Sequence, residues 1–172
     1  MPVEIYGDHQ TLQVPRVRLA KHLRSVLKAQ GRPRAIVEVT LTDDDDIREM
    51  NREWRKVDAV TDVLSFALQE GESMPGAEDL LGDVVVSLDT AARQAAQMVR
   101  EHGSSHPGYG LYEEVAFLAT HGLLHLLGYD HIRRADAEVM EALERELMAP
   151  ITDAPLHRLD RTDHASDATI RT

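Results

Sequence analysis

The residues of this chain best suited to chemistry are three histidines, His121, His125 and His131, in the run HGLLHLLGYDH. A spacing of four stacks the first two imidazoles on one face of a helix. Gly128 offers that helix a place to stop, because glycine takes left-handed geometry without strain, and the turn carries His131 back toward the other rings. Three convergent imidazoles with an open fourth position are what a catalytic zinc site requires. Three unrelated histidines are the competing reading, and the run suits it poorly. A buried imidazole needs polar partners, and neighbouring Leu and Ala side chains supply none. The 172 residues include no cysteine, so histidine and carboxylate are the strong ligands on offer.

The residue between the first two histidines decides which reaction the metal would serve. Zinc proteases place a glutamate directly after the first histidine, as general base. Here that position is Gly122, although Gly128 and His131 fall where the longer metzincin frame has its glycine and third histidine. A protease on this frame would lack a proton acceptor that commonly contributes about 10²–10⁴-fold to rate. Peptide hydrolysis is therefore disfavoured. Zinc lowers the pKa of its water to about 7 and polarises phosphoryl oxygens, so phosphodiester chemistry needs only a further group to meet the developing negative charge. An arginine serves, being always charged and able to grip phosphate through two donors. Arg55 is the best candidate, with Arg52 and Lys56 as competitors. Asp130 can either orient a ligand imidazole or cap the following helix.

Alternating helical and strand patterns surround these residues. VEIY near the N-terminus reads as a short strand, and Pro15 opens a helix to about Gln30 whose apolar face is Val17, Ala20, Leu23, Val26 and Leu27. AIVEVTL is a second strand. Thr42 is the expected N-cap of the next helix, with Asp43 to Asp46 in its first turn and Ile47, Met50 and Trp54 as its buried stripe. TDVLSFAL and LGDVVVS are further strands, separated by the acidic loop QEGESMPGAED. Asp89 or Thr90 should cap a helix to about Glu101 with a face of Ala91, Ala92, Ala95, Ala96 and Val99; His102 and His106 then read as surface histidines. From Leu111 to Leu127 a nearly all-apolar helix should be central and buried, and a last helix from Arg133 to Met148 turns Ala135, Val139, Leu143 and Leu147 inward. The expected fold is α/β (α+β), with a small mixed β-sheet flanked by helices and a central buried helix carrying the HxxxH pair. Residues 1–150 form one domain, and 151–172 read as a mobile tail.

Composition narrows the partners. A net charge of −11 argues against generic coating of nucleic acid. Yet no acidic residue occurs between His9 and Val37, where Arg16, Arg18, Lys21, Arg24, Lys28, Arg32 and Arg34 gather. That basic face suits docking to one particular polyanion, or is simply a solvated helix face. No apolar run approaches a membrane span and no signal-peptide pattern opens the chain, which places the protein in the cytoplasm with no membrane partner.

HGLLHLLGYDH resembles the signature of the bacterial rRNA maturation factor family, YbeY. The likeness extends to NREWRKVDAVTDVLSF, to LGDVVVS, and to EEVAFLATHGLLHLLGYDH followed by EVMEALERELM, about residues 3 to 149 in all. The resemblance implies a metal-dependent, single-strand-specific endoribonuclease with one zinc ion on His121, His125 and His131 and with Arg55 as the functional arginine. It implies rRNA and the small ribosomal subunit as partners, with ribosome-associated proteins possible, and roles in 3′-end maturation of small-subunit rRNA and in ribosome quality control. The alternative is a ribosome-assembly factor whose metal is structural. Lys56 stands where that family commonly has glycine, and Val60 and Ala67 where it commonly has prolines.

Overall fold

A computed structural model of the chain describes residues 2–68, 79–103, 105–130, 132–156 and 169–171. Strand β1 (Val3–Tyr6) leads into helix α1 (Arg16–Ala29) and strand β2 (Ile36–Thr42), then helix α2 (Asp44–Arg55) and strands β3 (Val63–Ala67) and β4 (Leu80–Ser87). Helices α3 (Leu88–His102), α4 (Leu111–Leu126) and α5 (Arg134–Met148) follow, and β5 (Thr169–Arg171) closes the order. The sheet runs β1-β2-β4-β3-β5, with β3 antiparallel to β4 and the other neighbours parallel. This is the mixed sheet flanked by helices that the sequence predicts. Most of the acidic loop, residues 69–78, lies outside the described residues.

Period-two alternation divides the sheet into two faces. Val37, Val39, Leu41, Val63, Val84 and Val86 face the main core with α1, α3 and α4, whereas Leu64 and Val85 pack with Ile47 of α2 on the other side. The three consecutive valines of β4 are thus buried on both faces, as their run suggested. Helix α4 lies within the core: Val115 to Ala119 are all 0% exposed. Buried Ala154 and Leu156 also join this core, so packed structure runs past the end of α5. The remainder of the predicted tail from 157 to 168, with Thr172, falls outside the described residues. No helix among the described residues is long and apolar enough to cross a membrane.

Helix ends and faces differ from the sequence reading in instructive ways. Asp43, not Thr42, caps α2: its side chain accepts from the Asp46 amide, and Thr42 is still in β2. Ser87, not Asp89 or Thr90, caps α3. The freed carboxylates tie the two helix starts together, since Asp44 accepts from the hydroxyls of Ser87 at 2.6 Å and Thr90 at 2.7 Å while Asp89 accepts from the Asp44 amide. Val17 and Trp54, assigned to buried faces, are 83% and 53% exposed. Trp54 instead meets Phe66 edge to face at the rim of the sheet. Ala96 and Val99 of α3 are likewise exposed. On α5 the inner face is Ala137, Met140, Glu144 and Met148, a set rotated away from Ala135 and Val139, both exposed.

Helix α1 meets α4 through a polar contact within the core: His22 Nε2 lies 2.9 Å from Thr120 Oγ1. Burial lowers the His22 pKa from 6.5 to about 4. The folded value is the lower one, so the unfolded chain takes up the proton first as pH falls. Stability from this group is complete above about pH 6.5 and is lost between there and about pH 4, by at most about 3 kcal/mol. A His22→Gln variant is expected to lose less stability than the parent over that interval, measured as urea midpoints at each pH.

Candidate metal centre

His121 and His125 lie one turn apart on α4, 3% and 8% exposed. Their rings meet edge to face, and the two Nε2 atoms approach to 3.0 Å. Each Nδ1 atom has its own partner. His121 Nδ1 lies 2.5 Å from Glu144 Oε1, and His125 Nδ1 lies 3.0 Å from the Tyr129 carbonyl. A carboxylate and a carbonyl are acceptors, so both Nδ1 atoms donate, and in the neutral rings both Nε2 atoms present lone pairs. Two lone pairs 3.0 Å apart call for an electrophile between them. Two nitrogens bound to one tetrahedral zinc, each about 2.0–2.1 Å from it, would stand about 3.3 Å apart, so a small outward movement suffices. The donor set therefore fits two corners of a transition-metal site, with outer partners of the kind that commonly orient ligand imidazoles.

The turn that follows is built by backbone bonds. Gly128 has φ of 102°, its amide donates to the His125 carbonyl at 3.0 Å, and the Tyr129 amide donates to the Leu124 carbonyl at 3.0 Å. This pair of bonds is the Schellman arrangement that ends a helix on glycine. It also swings the Tyr129 carbonyl under His125, so the predicted helix stop orients that imidazole as well. His131, the third histidine of the frame, lies outside the described residues. Among those residues, no group of three His, Asp or Glu is arranged to hold a metal ion. Asp130 does not cap α5, and among the described residues it meets no imidazole; its Oδ1 accepts from the Ile132 amide at 3.3 Å, within the turn.

Gly122 shows why no general base stands next to His121. A Cβ there would lie 2.7 Å from Val84 Cγ1, 3.1 Å from Ser65 Oγ and 3.2 Å from Val63 Cγ2. The helix rests directly on β3 and β4, and Ser65 donates to the Gly122 carbonyl at 3.0 Å. No glutamate fits between helix and sheet at this position. Gly82 of the LGD run makes a similar close approach, with φ of 136° and the Phe66 carbonyl where a Cβ would stand.

Arg55 is the last residue of α2, which packs on the sheet face opposite α4. Its Nη1 lies 3.4 Å from Asn51 Oδ1, while the Asn51 amide donates to the Ala59 carbonyl at 2.9 Å. Fully buried Asn51 thus holds both Arg55 and the loop leading through buried Thr61 and Asp62 into β3. Lys56 ends the helix with φ of 61°, and is the one non-glycine with positive φ among the described residues. It takes up geometry that glycine would adopt without a cost of about 1–2 kcal/mol. Arg52 pairs with Glu49, and the Lys56 ammonium donates to the Glu53 carbonyl, so both competitors for the arginine's role have partners on their own helix.

The sequence reading missed Glu144 and Asn51. Both were legible in principle as polar residues at positions where helical period requires burial: Glu144 follows Ala137 and Met140, and Asn51 follows Ile47.

A profile of the family described as endoribonuclease YbeY matches residues 4–152. Among similar proteins is an endoribonuclease YbeY of Desulforamulus reducens, 47% identical over 138 residues, which are 76% of this chain and 84% of that protein. Another, from an Anaeromyxobacter species, is 46% identical over 147 residues, 86% of this chain and 70% of that protein. Of solved structures, the solution structure of TM1509 from Thermotoga maritima is similar with a TM-score of 0.51 and 25% identity. The likeness covers 86% of this chain and 90% of that one.

Two substitutions test the construction of the site. Gly122→Ala is expected to destabilise the fold by about 1–3 kcal/mol through overpacking against Val84, read from the urea midpoint. Glu144→Ala is expected to weaken binding of a transition-metal ion by about 10–100-fold, measured by calorimetric titration with zinc.

Proposed function

From a chain that belongs to the endoribonuclease YbeY family, we propose a zinc-dependent endoribonuclease that cuts single-stranded RNA in rRNA processing. The observation that carries the metal part of this reading is the pair of Nε2 atoms facing each other at 3.0 Å, each ring anchored through its Nδ1. In this reading His121, His125 and His131 are the three ligands of one zinc ion, leaving a fourth position for water or phosphate. Bound there, zinc would supply Lewis acidity to the phosphodiester and to the attacking water.

The protein's own residues divide the remaining work. Glu144 keeps the His121 ring in the tautomer that offers Nε2, and Tyr129 does the same for His125 through its carbonyl. Arg55 neutralises the charge that builds on the scissile phosphate, a role its permanent charge and paired donors suit. Asn51 is the positioning residue for that guanidinium. With Gly122 pressed against the sheet, peptide hydrolysis has no base at the usual place. The natural substrate in this reading is the 3′ end of small-subunit rRNA in the cytoplasm, with the small ribosomal subunit as partner and ribosome quality control as a further role.

His121→Ala is expected to lose stoichiometric zinc and RNA cleavage together, measured by elemental analysis and by cleavage of a precursor rRNA fragment. Arg55→Ala should keep its zinc while cleavage falls by about 10²-fold or more. Full cleavage by His121→Ala would overturn the metal-centred reading; unchanged cleavage by Arg55→Ala would remove the arginine alone.

A further inference from the structure

The C-terminal ends of α1 and α4 meet beside the histidine turn, and a groove of about 310 Å³ lies between them. Gln30 and Arg32 line one side; Leu127, Gly128 and Tyr129 line the other. Both walls are helix stops on glycine. Arg32 donates its amide to the Leu27 carbonyl after left-handed Gly31, just as Tyr129 does to Leu124 after Gly128. A side-chain bond joins the walls: the Tyr129 hydroxyl donates to Gln30 Oε1 at 2.8 Å. The same Tyr129 holds His125 through its carbonyl, so the groove wall and the proposed metal centre share one residue.

We propose that this groove is a nucleotide subsite, which takes one unpaired base of single-stranded RNA next to the scissile linkage. The inference rests on the nuclease reading above and assigns it a substrate contact. Three features select a base over other ligands. The volume is at the low end of small-molecule sites, about 300–1,000 Å³, and so suits one ring system. The walls offer a phenol ring, a guanidinium and a leucine, the surfaces on which unstacked bases settle. The side-chain amide of Gln30, whose oxygen accepts from Tyr129, can donate its N–H to a base's polar rim. The two helix C-termini disfavour a bare phosphate within the groove, because each carries a partial negative charge. Exposed Lys28 and Arg34 flank the groove-lining Gln30 and Arg32 in sequence and would serve the neighbouring phosphates, with Asp130 the acidic residue closest in sequence to the opposite wall.

The test uses the full zinc-loaded chain and a short unstructured RNA in which an abasic nucleotide is placed at each position in turn. Binding is followed by fluorescence anisotropy and cleavage by product analysis. Tyr129→Ala and Arg32→Ala are each expected to weaken binding by about tenfold, and Tyr129→Phe to retain most of it. One abasic position beside the cut should weaken binding by the parent to a similar degree and cost Tyr129→Ala nothing further, a coupling that loss of packing would not produce. Zinc content of Arg32→Ala should be unchanged. Equal binding by parent and both alanine variants, or additive losses at every abasic position, would overturn the subsite and leave the nuclease reading standing. Coupled binding without any cleavage would uphold the subsite and overturn the nuclease reading.

Discussion

The structure depends on burying a helix that carries two imidazoles. Helix α4 crosses the core with His121 and His125 almost wholly removed from water, and a buried polar group without a partner costs several kcal/mol. Each ring therefore needs an acceptor at Nδ1, and two different devices provide one. Glu144 reaches in from α5, itself 1% exposed and held by the histidine it holds. Tyr129 provides its carbonyl because the helix stops at Gly128. Satisfying Nδ1 on both rings directs both Nε2 lone pairs to one point. The packing of α4 against sheet and α5 is thus also what turns the two imidazoles toward each other.

Much of this was legible in the sequence because it lies in local periodicity. The spacing of His121 and His125 and the stop at Gly128 follow from helical geometry, and the apolar run around them signals burial. What was not legible depends on tertiary rotation. The stripe through Ala135 and Val139 is as regular as the one through Ala137, Met140 and Glu144. Apolarity alone favours the former, and the choice is made by the partner His121 offers to a buried carboxylate. Cap assignment shifted for a related reason: Asp43, Asp44, Ser87, Asp89 and Thr90 are all competent caps, and their mutual hydrogen bonds decide which serves which helix. Gly122 leaves the position after His121 without a base in the sequence itself, but the sequence could not show that the sheet forbids one.

The two halves of the proposed machinery are held in different ways. The histidines belong to the main core, where packing against β3 and β4 is close enough to exclude a single methyl group at Gly122. Arg55 ends a helix that packs over a much smaller apolar patch of Ile47, Leu64 and Val85. Its placement relies on Asn51 and on the strained left-handed Lys56. Local opening is drawn from regions of few buried contacts, so the arginine side is the less firmly held of the two. Ser65 connects the two, since β3 follows the loop that Asn51 secures and donates to the backbone of α4 at Gly122.

An acidic protein that binds RNA must also control which of its faces the polyanion meets. Glu4 stands opposite Glu38 in the β1–β2 register, and Glu38 opposite Asp83 in the β2–β4 register, so three carboxylates form one row on the sheet face away from α4. Burial, followed by the neighbouring Glu38 charge, raises the pKa of Asp83. That row repels phosphate. The cations of α1 and the segment after it lie on the other side, leading toward the end of α1 where Tyr129 meets Gln30. Attraction near the end of α1 and repulsion along the acidic row would bias how a polyanion approaches, and both weaken as salt screens them.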